Sequence, residues 1–152
     1  MRATRPCRFH RSLVLSSLGV AFWLGAVVGV APAKDPSIAT DSVVRLSATE
    51  AAVVALTNEA RAKRGLGPLA VDAALMNGAR RQASWMARNR NLSHGQGVTE
   101  NIAMGQSSAS EAVADWMRSD GHRANILGSH GRVGVAMARA ADGTVYWCQQ
   151  FR

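Results

Sequence analysis

An α+β fold is what this 152-residue sequence predicts, from three observations. Capped segments with helical apolar spacing fill the chain up to about residue 120. An alternating strand pair around an Asp-Gly turn follows, and the last strand carries an aromatic residue on each of its faces. Helices first and strands afterwards is the order of an α+β domain, and a strand apolar on both faces needs a covering helical layer on either side.

Each element has a local reason. Arg2, Arg5, Arg8 and Arg11 precede an uncharged run from Leu13 to Val30 that ends at Ala31-Pro32-Ala33. Basic residues, an apolar run and small residues in that order read as an export signal, cleaved after Ala33. Residues 1–33 are therefore expected to be a signal peptide, and the protein a secreted one, extracellular or periplasmic. An uncleaved segment would make it a membrane anchor instead, opposed by Ser16, Ser17, Gly19, Gly25 and Gly29 within the run. Residues 34–46 mix Pro36, Ser37, Thr40, Asp41 and Ser42 and read as a flexible spacer, leaving 47–152 as one domain.

Ser47-Ala48-Thr49-Glu50 has capping-box spacing, and Val53, Leu56 and Ala60 then recur at helical intervals until Gly65 and Gly67-Pro68 end the run. Asp72 caps a second helix whose stripe is Leu75, Ala79, Ala83 and Met86. From Asn91 to Gly105 no period is evident, so a loop carrying His94 and Glu100 is expected. Ser108-Ala109-Ser110-Glu111 opens a third helix, with Ala112, Val113, Trp116 and Met117 apolar, ending near Asp120-Gly121. Val133, Val135 and Met137 alternate with small residues before Asp142-Gly143, the signal of a hairpin. In the final strand Val145, Trp147, Gln149 and Phe151 share one face and Tyr146, Cys148 and Gln150 the other.

Charge and cysteine content narrow the function classes. The chain carries a net +8, but removing four arginines with the export segment leaves 14 basic against 10 acidic residues. Arg61, Lys63, Arg64, Arg80, Arg81, Arg88 and Arg90 fall on helical stretches, where a solvated face is expected. No interleaved aromatic and basic platform stands out, so nucleic acid is not an expected partner. Of the two cysteines Cys7 leaves with the signal, so Cys148 has no partner for an internal disulfide and is expected as a small buried hydrophobe. The methionines Met76, Met86, Met104, Met117 and Met137 read as core filler, Trp85, Trp116 and Trp147 as packing anchors, and His130 among Gly128, Ser129 and Gly131 as an exposed loop residue.

No His-Glu-x-x-His, Cys-x-x-Cys, Gly-x-Ser-x-Gly or phosphate-loop motif occurs, so chemistry rests on dispersed residues. His94, Glu100 and His122 are the residue types of an open zinc-like site, where three protein ligands leave a position for water. Spacing leaves a second reading open, in which the histidines satisfy backbone groups, Glu100 pairs with an arginine such as Arg123, and Asp120 caps a short helix.

Taken together, Thr99-Glu100-Asn101-Ile102-Ala103, the run Trp116-Met117-Arg118-Ser119-Asp120-Gly121-His122-Arg123-Ala124-Asn125-Ile126-Leu127, and Tyr146-Trp147-Cys148-Gln149-Gln150-Phe151 resemble a bacterial CAP domain. This superfamily includes cysteine-rich secretory, antigen-five-like and pathogenesis-related proteins. Asn58-Glu59-Ala60-Arg61 and Gly65-Leu66-Gly67-Pro68-Leu69 look like its opening. The resemblance implies a three-layer α-β-α sandwich with a small antiparallel sheet, secretion, and a cleft in which His and acidic residues hold a divalent ion, commonly Zn2+. His94, Glu100 and His122 are the ligand positions it implies, with Ser119, Asn101 and Arg123 lining the cleft. Ser119 stands where many eukaryotic relatives carry a second Glu, so weak metal binding is expected.

Two function classes follow. A non-catalytic binding module would receive a small-molecule, lipid-like or cell-envelope ligand in the cleft. The alternative is an envelope hydrolase of peptidase type, with metal-activated water or a Ser119/His122 pair. The absence of any oxyanion-hole or orienting signature favours the binding module.

Overall fold

A computed structural model describes residues 44–152. The expected signal peptide and residues 34–43 of the expected spacer lie outside the described residues. Packing already begins at Val44 and Leu46, which lie against the core.

Helix α1 (Ala48–Ala62) starts on the expected capping box: the Glu50 amide donates to Ser47 Oγ, and the Ser47 amide to Glu50 Oε2. The same carboxylate receives two 2.7 Å bonds from the Arg80 guanidinium, so one residue both caps α1 and joins it to the next helix. Strand β1 (Ala70–Val71) leads into α2 (Ala73–Asn89), where Asp72 accepts from the Leu75 amide. Helix α2 buries Leu75, Ala79, Ala83 and Met86, as its stripe predicts.

Residues 99–104, expected within a loop, form strand β2 (Thr99–Met104). Its neighbour β4 (Val145–Phe151) supplies the pairing, and covering layers bury both of its faces from Glu100 to Ala103. A strand buried on both sides shows no polar–apolar alternation, which is why its period was silent.

Helices α3 (Ala109–Arg118) and α4 (Asp120–Leu127) are separated by Ser119 alone, whose extended backbone (φ −90°, ψ 124°) turns one helix into the next. Strand β3 (Arg132–Arg139) and β4 form the expected hairpin, with Gly143 at φ 89°. The sheet order is β1-β3-β4-β2; β2, β4 and β3 are antiparallel, and β1 adds a two-residue parallel pairing with β3.

Two apolar layers result. On one face Ala79, Ala83 and Met86 of α2 meet Ile102, Ala136, Tyr146 and Cys148. On the other, Val53, Trp116 and Ile126 from α1, α3 and α4 meet Ala103, Val133, Val135, Trp147 and Phe151. Cys148 is buried, as expected. Both buried indoles satisfy their N–H, Trp116 on the Ile102 carbonyl and Trp147 on that of Gln106. Gly134 is obligatory for the first interface, since a Cβ there would overlap the backbone of Leu75 and Met76.

Several surface expectations need correction. Arg61 is not on a solvated face: it is 4% exposed and donates to the carbonyls of Gly67, Ile126, Gly128 and His130. These carbonyls lie at the end of α4 and in the turns beyond the helices, so a fixed cation saturates them. His130 is half-buried, its ring stacked on Phe151 at 5.3 Å. Trp85 is 40% exposed and is not a packing anchor, and Met104 and Met137 are exposed where core filler was expected.

Candidate functional site

The site grows from strand alternation at the sheet edge. Adjacent residues of β2 point to opposite faces, so Glu100 turns toward the α2 layer and Asn101 toward the α4 layer. Glu100 lies across from Gln150 in the ladder, which also places Cys148 on its face.

The Glu100 carboxylate is 1% exposed and accepts four bonds. Oε1 lies 2.8 Å from the Gly95 amide and 3.1 Å from His94 Nδ1; Oε2 lies 2.9 Å from Gln150 Nε2 and 3.4 Å from Cys148 Sγ. Every partner is a donor, as an acceptor-only carboxylate requires. The Cys148 thiol is pushed well above its ordinary range by burial and by the Glu100 charge, so it stays a donor and not a nucleophile. The loop carrying His94 is held down by Gln82, whose amide donates to the Ser93 carbonyl at 2.6 Å. The His94 side chain is itself 57% exposed.

On the opposite face Asn101 is fully buried and acts as a latch. Its amide donates to the His122 carbonyl at 3.0 Å and to Gln149 Oε1 at 3.2 Å, while its oxygen accepts from Asn125 at 2.9 Å. Asn125 also reaches the Glu100 carbonyl, and Gln149 donates to Thr57 of α1. Buried amides thereby stitch α4 to the β2 edge, which fixes where His122 sits. Its imidazole is held below the ordinary value, first by burial and then by charge on His94.

The other expected positions fall differently. Glu100 does not pair with Arg123, which bonds Asp120 and the Met117 carbonyl. Ser119, at the junction of α3 and α4, makes no capping bond with its hydroxyl. Among the described residues no three His, Cys, Asp or Glu side chains converge as a cation-holding group. Glu100 explains this, because both of its oxygens already serve protein donors.

The structure shows a carboxylate–imidazole dyad, Glu100 with His94. The tautomer that gives Nδ1–H to Glu100 keeps its lone pair on Nε2, the geometry by which carboxylates orient metal-binding or proton-accepting histidines. Sequence reasoning missed Gly95, Cys148, Gln149 and Gln150 as supports. The available signal was the period of two in β4, which sets Cys148 and Gln150 on one face.

Comparison with known proteins agrees with this architecture. The sequence model of the CAP family, described as the cysteine-rich secretory protein family, matches residues 54–151. An uncharacterized Bacillus subtilis protein, YkwD, is 34% identical over 140 residues, covering 80% of this chain and 53% of its own length. The chain thus spans about half of that relative. Among solved structures, an extracellular SCP-domain protein from Bacillus anthracis is similar at a TM-score of 0.58 and 25% identity, over 68% of this chain and 40% of that one. An outer surface protein from Borrelia burgdorferi shares the fold at a TM-score of 0.64 and 17% identity, over 71% and 94% of the two chains.

Proposed function

The chain belongs to the CAP family of cysteine-rich secretory proteins, and from that premise we propose that it is an exported binding module whose working element is the His94–His122 rim. The outer-surface and extracellular descriptions of its Borrelia and B. anthracis neighbours support export. So does the basic–apolar–small order of residues 1–33. No described helix is long and apolar enough to cross a membrane.

The observation that carries the reading is the buried Glu100 carboxylate, which spends one oxygen on His94 Nδ1 and leaves Nε2 of that half-exposed ring for a ligand. In this reading His94 and His122 are the imidazole ligands of a divalent ion of the zinc type, completed by water or by ligand atoms. Glu100 serves as the orienting carboxylate, not as a ligand. Two protein ligands hold such an ion weakly, and when bound it would supply a Lewis-acidic point for an oxygen of a small lipid-like or envelope ligand. Among the described residues no serine hydroxyl is hydrogen-bonded to an imidazole, so the Ser119/His122 form of the hydrolytic alternative gains no support.

Calorimetric titration of the chelator-stripped protein with Zn2+ tests the proposal. Binding is expected in wild type and lost in His94→Ala and His122→Ala. In Glu100→Gln it should weaken about 10–100-fold, the usual effect of removing an orienting partner. No binding in wild type, or equal binding in His94→Ala, overturns it.

A further inference from the structure

Beyond the histidine rim, a groove of ≈ 780 Å³ runs along the outer side of α2 to the loop at Gly95. Arg81, Trp85 and Arg88 stand four and three residues apart on α2, the spacing that brings side chains to one helix face. Trp85 is 40% exposed there, an indole that the core does not use. Among the described residues neither Arg81 nor Arg88 is in an ion pair, and no acidic residue lines the groove; the adjoining Arg80 is committed to Glu50.

Three amide side chains, Gln82, Gln96 and Gln150, also line it, with Ser84 and Val98. Gln82 and Gln150 donate their NH2 groups inward, to the Ser93 carbonyl and to Glu100. Each therefore keeps a side-chain carbonyl oxygen as an acceptor, and Gln96 adds a whole amide. Gly78 and Gly95 flank these oxygens: a Cβ on Gly78 would overlap Gln150 Oε1, and one on Gly95 would lie 3.5 Å from Gln82 Oε1.

We propose that this groove is a second binding site, specific for an acidic oligosaccharide. Three chemistries converge in it, and an acidic sugar carries all three. Guanidinium groups take the acid function, amide oxygens accept sugar hydroxyl protons, and the indole packs against the apolar C–H face of the ring. A plain anion would use only the arginines. A nucleic-acid strand would call for successive stacking rings, and the groove has one. The site does not require a metal at His94, so each can fail without the other.

The test is calorimetric titration of the full chain with hexagalacturonate, with its fully methyl-esterified neutral form, and with the oligonucleotide dT6. Hexagalacturonate is expected to bind, with affinity falling as salt is raised. The ester should bind at least about tenfold more weakly, as expected for the loss of charge-assisted bonds. Trp85→Ala and the double variant Arg81→Ala/Arg88→Ala, all at exposed positions, should each lose about tenfold or more. Both should keep the wild-type melting temperature and Zn2+ response. Absence of hexagalacturonate binding, equal binding of the ester, dT6 binding as tight as hexagalacturonate, or wild-type affinity in Trp85→Ala overturns the proposal.

Discussion

Replacing Glu100 by Gln keeps the shape of the side chain and removes the property on which the site depends. The carboxylate accepts from the Gly95 amide, His94 Nδ1, Gln150 Nε2 and the Cys148 thiol at 1% exposure. A carboxamide can accept on one oxygen only, so its own NH2 must face two of these donors. Stranding a buried donor costs roughly 1–3 kcal/mol, and the bonds that survive lose their charge assistance. Together these put the loss at about 2–4 kcal/mol, a large share of the ~5–15 kcal/mol that holds a domain of this size folded. Urea denaturation at pH 7.5, followed by circular dichroism, should show the midpoint falling with the slope unchanged. A loss under about 1 kcal/mol would mean that the four donors are satisfied without the charge, and the description of Glu100 as the hub would be wrong.

Other perturbations follow from the same contacts. Arg61→Lys keeps the charge but cannot span four carbonyls; it should cost about 2–4 kcal/mol, read in the same urea assay, and loosen the end of α4. Gly134→Ala forces a methyl group into the backbone of Leu75 and Met76 and should cost about 3 kcal/mol or prevent folding, measured by thermal melting. His122 and His130 are both held below the ordinary imidazole value by burial, with the charges of His94 and Arg61 adding to it. In each case the unfolded chain binds a proton first as pH falls. Stability should therefore be full above pH ~7 and decline as pH drops through about 6.5 toward the lowered folded values, and His122→Asn should flatten that slope. Asn101→Ala should release α4 from the β2 edge, detected as faster hydrogen exchange in α4 and weaker Zn2+ binding with His94 intact.

How far the sequence spoke depended on whether a feature is local. The Ser47 and Asp72 caps, the α2 stripe and the two faces of β4 arise from spacing within one segment, and each is found where its spacing predicts. Strand β2 owes its existence to β4, more than 40 residues away, and is buried on both faces, so no local period marked it. The burial of Arg61 could not be read either, because the carbonyls that hold it come from the turns after α1 and α4. Trp85 inverts the usual rule that large aromatics anchor cores: it lies off the Leu75–Met86 stripe and faces the groove. Of the site, His94 and Glu100 were visible as residue types, and the structure brings them into contact. Their supports were not visible, since Gln150 and Cys148 reach Glu100 only through the β2–β4 register.

The tautomer of His94 tests the central claim most directly. In 15N-labelled protein at pH 7.5, long-range nitrogen–proton correlation spectra assign the proton within each imidazole ring. The account predicts the tautomer with its proton on Nδ1, facing Glu100, and the lone pair on Nε2, an arrangement that relaxes toward a tautomer mixture in Glu100→Gln. A wild-type ring with its proton on Nε2, or a spectrum unchanged by the substitution, would contradict it.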